Sequence, residues 1–177
     1  MITKVEAISF LKKHQPMPND EDLEKKEIEE YERVRKFFLK NPDEQCIPLF
    51  LNSFGGKSGF GVYQMVEDVI LMYDAKKVIP YLLEGFNSLY DSVRYWNVQI
   101  AANFIDSSLF VPLVNLLQSK DVDIKFATIT ALAQLALNNM KSDEIINIIK
   151  NEYEKTCDED IREFCEEVLL DIQDSNR

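Results

Sequence analysis

The chain has 177 residues, of which 46% are hydrophobic and 29% are charged. This balance is typical of a soluble globular protein and excludes a disordered chain. No apolar run approaches the roughly 20 residues of a membrane helix, and the N-terminus lacks the order of a signal peptide. We therefore expect a cytoplasmic protein with no membrane contact. The net charge is −11, and because nucleic acid requires a basic footprint, it argues against DNA or RNA as a partner.

The N-terminal region, residues 1–42, predicts two helices that differ in character from the rest of the chain. Residues 2–14 read as a short amphipathic helix, which the prolines of "QPMPND" interrupt. Residues 20–40 predict a long helix that is acidic first and basic last, which complements its macrodipole. We expect this region to form a helical cap on the open end of the fold that follows. His14 is expected at the surface.

The stretch "FGGKSGFG" follows, and it holds four of the five glycines and a Gly-Lys-Ser. A phosphate-binding loop would need glycine five positions before Gly56, where Leu51 stands. We therefore interpret the stretch as a turn between two helices, in which glycine permits a sharp reversal. A loop that contacts a partner, Gly55–Gly61, is the alternative.

A repeat runs through the rest of the chain. Pro48, Pro80 and Pro112 each begin an apolar segment and are spaced 32 residues apart, and one further step leads to "IINII". Longer stretches that start at Val62, Val93, Ile124 and Ile161 carry apolar residues mainly at positions 1, 4, 5, 8 and 12. That spacing is helical and not the alternation of a strand. The pattern predicts an all-α fold of about four helix pairs.

The segments "VIPYLLEGFNSLYDSVRYWNVQIAANF" and "FVPLVNLLQSKDVDIKFATITALAQLA" resemble HEAT repeats, with a proline-led first helix, an Asp-containing turn and an alanine-rich second helix. The resemblance implies an α-α superhelix, a single continuous solenoid domain over residues 43–173. The first unit departs from the pattern, since Tyr63 stands at the usual Arg position. We expect Arg94, Lys125 and Arg162 to form a ladder to turn aspartates of adjacent repeats, and Trp96 to lie in the core.

Positions 3, 7 and 11 of the second helices form a separate stripe, because residues four apart share a helix face. Exposed aromatic side chains among polar groups are typical of protein-binding hot spots. The stripe ends in a purely acidic row. It predicts a partner-binding face made of Tyr95, Gln99, Asn103, Phe126, Thr130, Gln134, Glu163, Glu167 and Asp171.

The residues suggest neither catalysis nor a cofactor. The three cysteines form no CxxC pair and only one histidine exists, so we expect free thiols and no metal site. Nothing places His14 near a reactive serine or cysteine. We expect a protein that is not an enzyme.

The run "PDEQCIPLFLNSFGGKSGFGVYQMVEDVI" looks like bacterial HEAT-repeat immunity proteins of polymorphic or contact-dependent toxin systems. This resemblance implies a toxin inhibitor whose partner is a protein, in particular a basic toxin domain. The alternatives are a generic HEAT-repeat scaffold or adaptor, and an enzyme such as a HEAT-like DNA glycosylase, bilin lyase or hydroxylase. The acidic row opposes the glycosylase, and a single histidine opposes an iron-dependent hydroxylase.

Overall fold

The structure is a computed structural model that describes residues 2–175. Every regular element in this range is helical, which confirms the all-α prediction. None of the described helices is both long and apolar enough to span a lipid bilayer. The helices are α1 (Lys4–Lys13), α2 (Lys25–Lys40), α3 (Cys46–Leu51), α4 (Glu67–Ile70), α5 (Ala75–Gly85), α6 (Asp91–Ala101), α7 (Phe110–Leu116), α8 (Val122–Leu137), α9 (Ser142–Lys155) and α10 (Glu159–Ser175).

The chain divides into two compact units, Met1–Asn97 and Val98–Arg177, with the division inside α6. In the first unit α3 contacts both α1 and α5, and α2 contacts both α1 and α4. In the second unit α8 contacts α7, α9 and α10. The predicted division into a cap and a repeat domain stays a prediction.

The core of the first unit is aromatic. Tyr31 of α2 is fully buried and meets Phe50 and Tyr63 edge to face, with ring centroids 5.8 and 5.6 Å apart. Such pairs add to the free energy gained by burying the rings. The Tyr31 hydroxyl hydrogen-bonds to the Ser53 hydroxyl at 2.7 Å, so its polar atom is satisfied inside the core. Burial raises the pKa of Tyr31 well above its usual value.

The second helix predicted for the first repeat is not continuous. The segment from Val62 forms a 3-10 turn, Tyr63–Val66, followed by the single turn of α4. Buried Arg35 of α2 donates from Nη1 to the Met65 carbonyl at 3.2 Å. In a regular helix this carbonyl would accept from a backbone amide of the same helix, but here a side chain of α2 satisfies it. The prediction of one long helix was therefore wrong here.

His14 is buried, although the sequence places it at the surface. Its side chain stacks on Phe10 with centroids 4.2 Å apart. Its Nδ1 lies 2.8 Å from the Phe10 carbonyl, which can only accept, so Nδ1 carries the proton. Its Nε2 lies 3.7 Å from Glu27 on α2. The histidine therefore joins α1 to α2.

The core of the second unit is aliphatic and centres on α8. The alanine side chains of α8 at 127, 131, 133 and 136 are buried, and Leu132 is fully buried. Leu116 is only half-buried, whereas Leu113 and Leu117 on the same segment are buried. The buried residues of α8 are Ile124, Ala127, Thr128, Ile129, Ala131, Leu132, Ala133, Leu135 and Ala136.

One turn recurs before α6, α8 and α10. The hydroxyls of Ser88, Ser119 and Thr156 each accept from the backbone amide two residues on, at 3.1–3.2 Å. Asp121 and Asp158 then accept from the amides of the third residue after them, both at 3.1 Å. Such side chains satisfy amides that a helix start leaves without a partner.

The basic column was predicted to pair with turn aspartates of adjacent repeats, but Arg94 and Arg162 bond within their own turns. Arg94 pairs with the turn residue Asp91 and donates to the Ser88 carbonyl at 2.6 Å, and Arg162 donates to the Thr156 carbonyl at 2.8 Å. Lys125 instead pairs with Glu152 of α9 at 2.9 Å. Two of the three side chains thus stabilise the start of their own helix.

We predict that Leu132→Asp abolishes cooperative folding, because an unpaired carboxylate in an apolar core costs several kcal/mol. Thermal melting followed by circular dichroism measures the effect. Leu89→Asp is the matched control, since Leu89 is 94% exposed and should melt like the parent. A cooperative melt for Leu132→Asp near the parent temperature would contradict the assigned core.

Candidate functional site

The glycine-rich loop, Phe54–Gly61, is a turn, as predicted, and connects α3 to the 3-10 turn. Its backbone enters the left-handed region at Lys57, Gly59, Phe60 and Gly61. Glycine is required at position 59, because a Cβ there would lie 2.7 Å from the Tyr63 ring. The loop is therefore tightly built, and it leaves the Phe60 side chain 64% exposed.

The loop amides point at side chains of the N-terminal segment. Gly56 N donates to Asn19 Oδ1 at 2.9 Å, and Gly59 N donates to Asp20 Oδ1 at 2.8 Å. Ser58 N donates to the second Asp20 oxygen at 3.3 Å. A carboxylate of the chain itself thus occupies the position that an anion takes in a nest of backbone amides. The Gly-Lys-Ser is therefore a structural turn with an internal partner.

The same loop is tied to α6. Trp96 Nε1 donates to the Lys57 carbonyl at 3.0 Å, and the indole stacks on Phe54 with centroids 5.7 Å apart. Trp96 is only half-buried, so its prediction as a core residue was wrong. Tyr95 is also half-buried and meets the Trp96 ring edge to face at 5.2 Å.

The predicted partner-binding residues are all at least partly exposed. Tyr95 lies in the first unit and the other eight in the second. Those that are half-buried are Tyr95, Gln99, Phe126, Thr130 and Gln134, and those that are exposed are Asn103, Glu163, Glu167 and Asp171. Two of them bond to their own helix or its end: Thr130 Oγ1 donates to the Phe126 carbonyl at 3.0 Å, and Asn103 Nδ2 to the Ile100 carbonyl at 3.2 Å.

The aromatic centre of the face in the second unit is a pair. Phe126 of α8 meets Phe164 of α10 with centroids 5.1 Å apart and ring planes at 61°. Both rings are half-buried. Phe164 was not among the predicted contacts, because it stands at position 4 of its stretch, a position that the buried Ala127 takes in α8. Trp96 stands at position 4 of the stretch from Val93 and is likewise half-buried.

The acidic row lies on the same helix as Phe164. Glu163, Glu167 and Asp171 are four residues apart, so they share one face of α10. Glu167 also lies three residues after Phe164, a spacing at which side chains on a helix are neighbours. Glu163, Glu167 and Asp171 make no ion pair within residues 2–175. We call Phe126, Phe164, Glu163, Glu167 and Asp171 the α8–α10 face. Aromatic rings beside unpaired carboxylates can attract cationic side chains.

The thiols and carboxylates are dispersed. Cys46 and Cys165 are buried and Cys157 is exposed, and all three are free. Burial raises the pKa of the Cys165 thiol to about 11, which suppresses its nucleophilic thiolate form. Within the described range no three histidine, cysteine or acidic side chains come together as a metal site.

No protein-family model matches the chain, and no curated protein matches it.

We predict that Asp20→Asn destabilises the protein by about 1–3 kcal/mol, since two amide hydrogen bonds would lose their charged acceptor. Urea unfolding followed by tryptophan fluorescence measures it, because Trp96 contacts the loop. Asp22→Asn is the matched control, as the Asp22 side chain is exposed. Equal stability of the two variants would show that the carboxylate does not hold the loop.

Proposed function

We propose that this protein is a non-enzymatic binding module that recognises a basic protein through its α8–α10 face. The observation that carries the proposal is the half-exposed Phe126–Phe164 pair, with three exposed carboxylates without ion pairs along the same helix as Phe164. Aromatic anchors set the lifetime of many complexes, and unpaired charge speeds encounter with an oppositely charged partner. Gln99, Asn103, Thr130 and Gln134 complete the proposed surface within the second unit, and Tyr95 of the first unit is a separate predicted contact.

The proposed architecture is a HEAT-like solenoid of helix pairs over residues 43–173, with residues 1–42 as its cap. The recurring turn before α6, α8 and α10 supports it, since before each of these helices a backbone amide donates to the hydroxyl two residues earlier. The 32-residue spacing of Pro48, Pro80 and Pro112 supports it as well. Stacked units of this kind present extended binding surfaces.

The more specific proposal is an immunity protein that neutralises a cognate bacterial toxin in the cytoplasm. Its support is the resemblance of the first repeat and the net charge of −11, which suits a basic toxin domain. The inhibitor would act by covering the toxin's active site or substrate surface. A scaffold or adaptor with the same face would bind a basic protein that has no toxic activity, and a growth assay with the partner distinguishes the two.

We predict no binding to DNA or RNA at micromolar concentration, even at low salt. The carboxylates of the α8–α10 face repel a phosphate backbone, and that repulsion is strongest where screening is weakest. Fluorescence anisotropy with labelled duplex and single-stranded oligonucleotides measures the affinity. Micromolar or tighter binding would overturn the charge argument and favour a DNA glycosylase.

For the protein partner, we predict separate effects of charge and aromatic contact. Reversal of Glu163, Glu167 and Asp171 to lysine should slow association and flatten its salt dependence, because rim charges act mainly through steering. Phe126→Ala should instead speed dissociation, at a cost of about 2 kcal/mol. Stopped-flow mixing with the product of the neighbouring gene, or with a partner co-purified from the native host, measures both rates.

The matched control for charge is reversal of Glu84, Asp143 and Glu154, which are exposed and change the net charge equally. It should alter association much less than the α8–α10 variant. If both triple variants slow association to the same extent, the association rate depends on the net charge of the whole protein and not on this face. If neither the charges nor Phe126 affects either rate, the partner binds elsewhere.

A further inference from the structure

A groove in the second unit lies where the carboxyl ends of α7 and α9 meet the start of α8. Its volume of about 390 Å³ falls in the range of small-molecule sites. Val114, Leu117 and Ile148 form an apolar wall, and of these Leu117 is buried and the other two are half-buried. The groove uses none of the residues of the α8–α10 face, so it is independent of the proposed function.

The polar part of the lining carries an ion pair. Lys125 Nζ lies 2.9 Å from Glu152 Oε1, and the two side chains are only 22% and 12% exposed. An ammonium has three donors, so Lys125 keeps donors beyond its bond to Glu152. Glu152 is the only carboxylate in the lining, and it is already neutralised by Lys125.

The remaining polar side chains of the lining are rich in donors. Lys155 makes no ion pair within the described residues, and the side-chain amides of Gln118 and Asn151 have no hydrogen-bond partner there. With Lys125 and Lys155 against Glu152, the lining carries a net positive charge on a chain of net charge −11. A local excess of cationic donors in an acidic protein favours an anionic ligand.

We propose that this groove binds a carboxylate that carries a short aliphatic chain. The carboxylate would accept from Lys155 and from the free donors of Lys125, while the aliphatic chain packs on Leu117, Val114 and Ile148. Two sources offer this chemistry, namely a free small organic acid and the C-terminus of a polypeptide that ends in an aliphatic residue. Both present a carboxylate adjacent to apolar carbon.

Methyl NMR with hexanoate tests the proposal on the full chain. Increasing hexanoate should shift the methyl resonances of Ile148, Val114 and Leu117 in a saturable manner. Hexylamine and hexanol at the same concentrations should shift them far less, because neither carries a carboxylate.

A second titration, with N-acetyl-Gly-Leu that has a free or an amidated C-terminus, distinguishes the two sources of the ligand. Binding of hexanoate alone indicates a free acid, whereas tighter binding of the free-carboxylate peptide indicates a chain terminus.

Lys155→Gln tests the ligand contact without disturbing the fold, since Lys155 is exposed. It should weaken hexanoate binding about threefold, the effect of losing an exposed ion pair. Lys150→Gln is the matched control on the same helix, because Lys150 is exposed and does not line the groove. It should leave binding unchanged. Lys125→Gln should weaken binding further, but it also leaves Glu152 unpaired, so its melting temperature must be measured alongside.

Three results would overturn the proposal. Methyl resonances that do not respond to hexanoate or to the free-carboxylate peptide would show that the groove does not bind this chemistry. Equal shifts with hexylamine would show that the charge of the ligand is not recognised. Equal weakening by Lys155→Gln and Lys150→Gln would show that only the overall charge matters.

Discussion

The register of the second helices depends on how each helix begins. Ser88, Ser119 and Thr156 hold the chain in the same turn, and the next helix then starts at a fixed distance from that hydroxyl. Because a helix has 3.6 residues per turn, fixing its first residue also fixes which side chains point inward. Positions such as Ile124 and Ile161 are buried as a result, and the stripe at positions 3, 7 and 11 stays partly exposed. The proposed binding face follows from this local hydrogen bonding.

The first repeat uses a different turn before its second segment. It has no equivalent hydroxyl turn, and its chain reverses through the glycine-rich loop. Amides that a helix or a capping residue would satisfy are bonded by Asn19 and Asp20 from the N-terminal segment. These bonds join the loop to the segment before α2, so the two stabilise each other. The loop also positions Trp96, whose indole nitrogen bonds to it.

The sequence predicts those parts of the fold that depend on periodicity. The helices α8 and α10 follow from apolar spacing, because each is long, and a capping aspartate precedes each of them. The broken helix after Val62 could not be predicted, since it depends on a tertiary bond from Arg35 to the Met65 carbonyl. Burial of His14 likewise depends on the packing of α1 against α2, which no local pattern specifies. The exposure of each site residue was largely predictable, but the Phe126–Phe164 contact joins residues from two helices and needed the structure.

The α8–α10 face is distinguished by its aromatic pair and not by unpaired acids alone, since exposed Glu84, Asp143 and Glu154 also make no ion pair within residues 2–175. Elsewhere many acids are engaged within the chain, for example Glu32 with Arg35 and Glu152 with Lys125. Ion pairing with Arg35 lowers the pKa of Glu32, which shows that such acids are committed to the fold. The carboxylates of α10 have no such role, so their charge remains available for a partner.

Hydrogen exchange of the complex with its partner tests the central claim most directly. Binding through the α8–α10 face predicts slower amide exchange in residues 122–137 and 159–175 than in the free protein. Because the partner must cover Phe126 and Phe164, protection should be lost together with affinity in the Phe126→Ala variant. Protection confined to the glycine-rich loop or to residues 2–40, with no change in α8 and α10, would contradict the account.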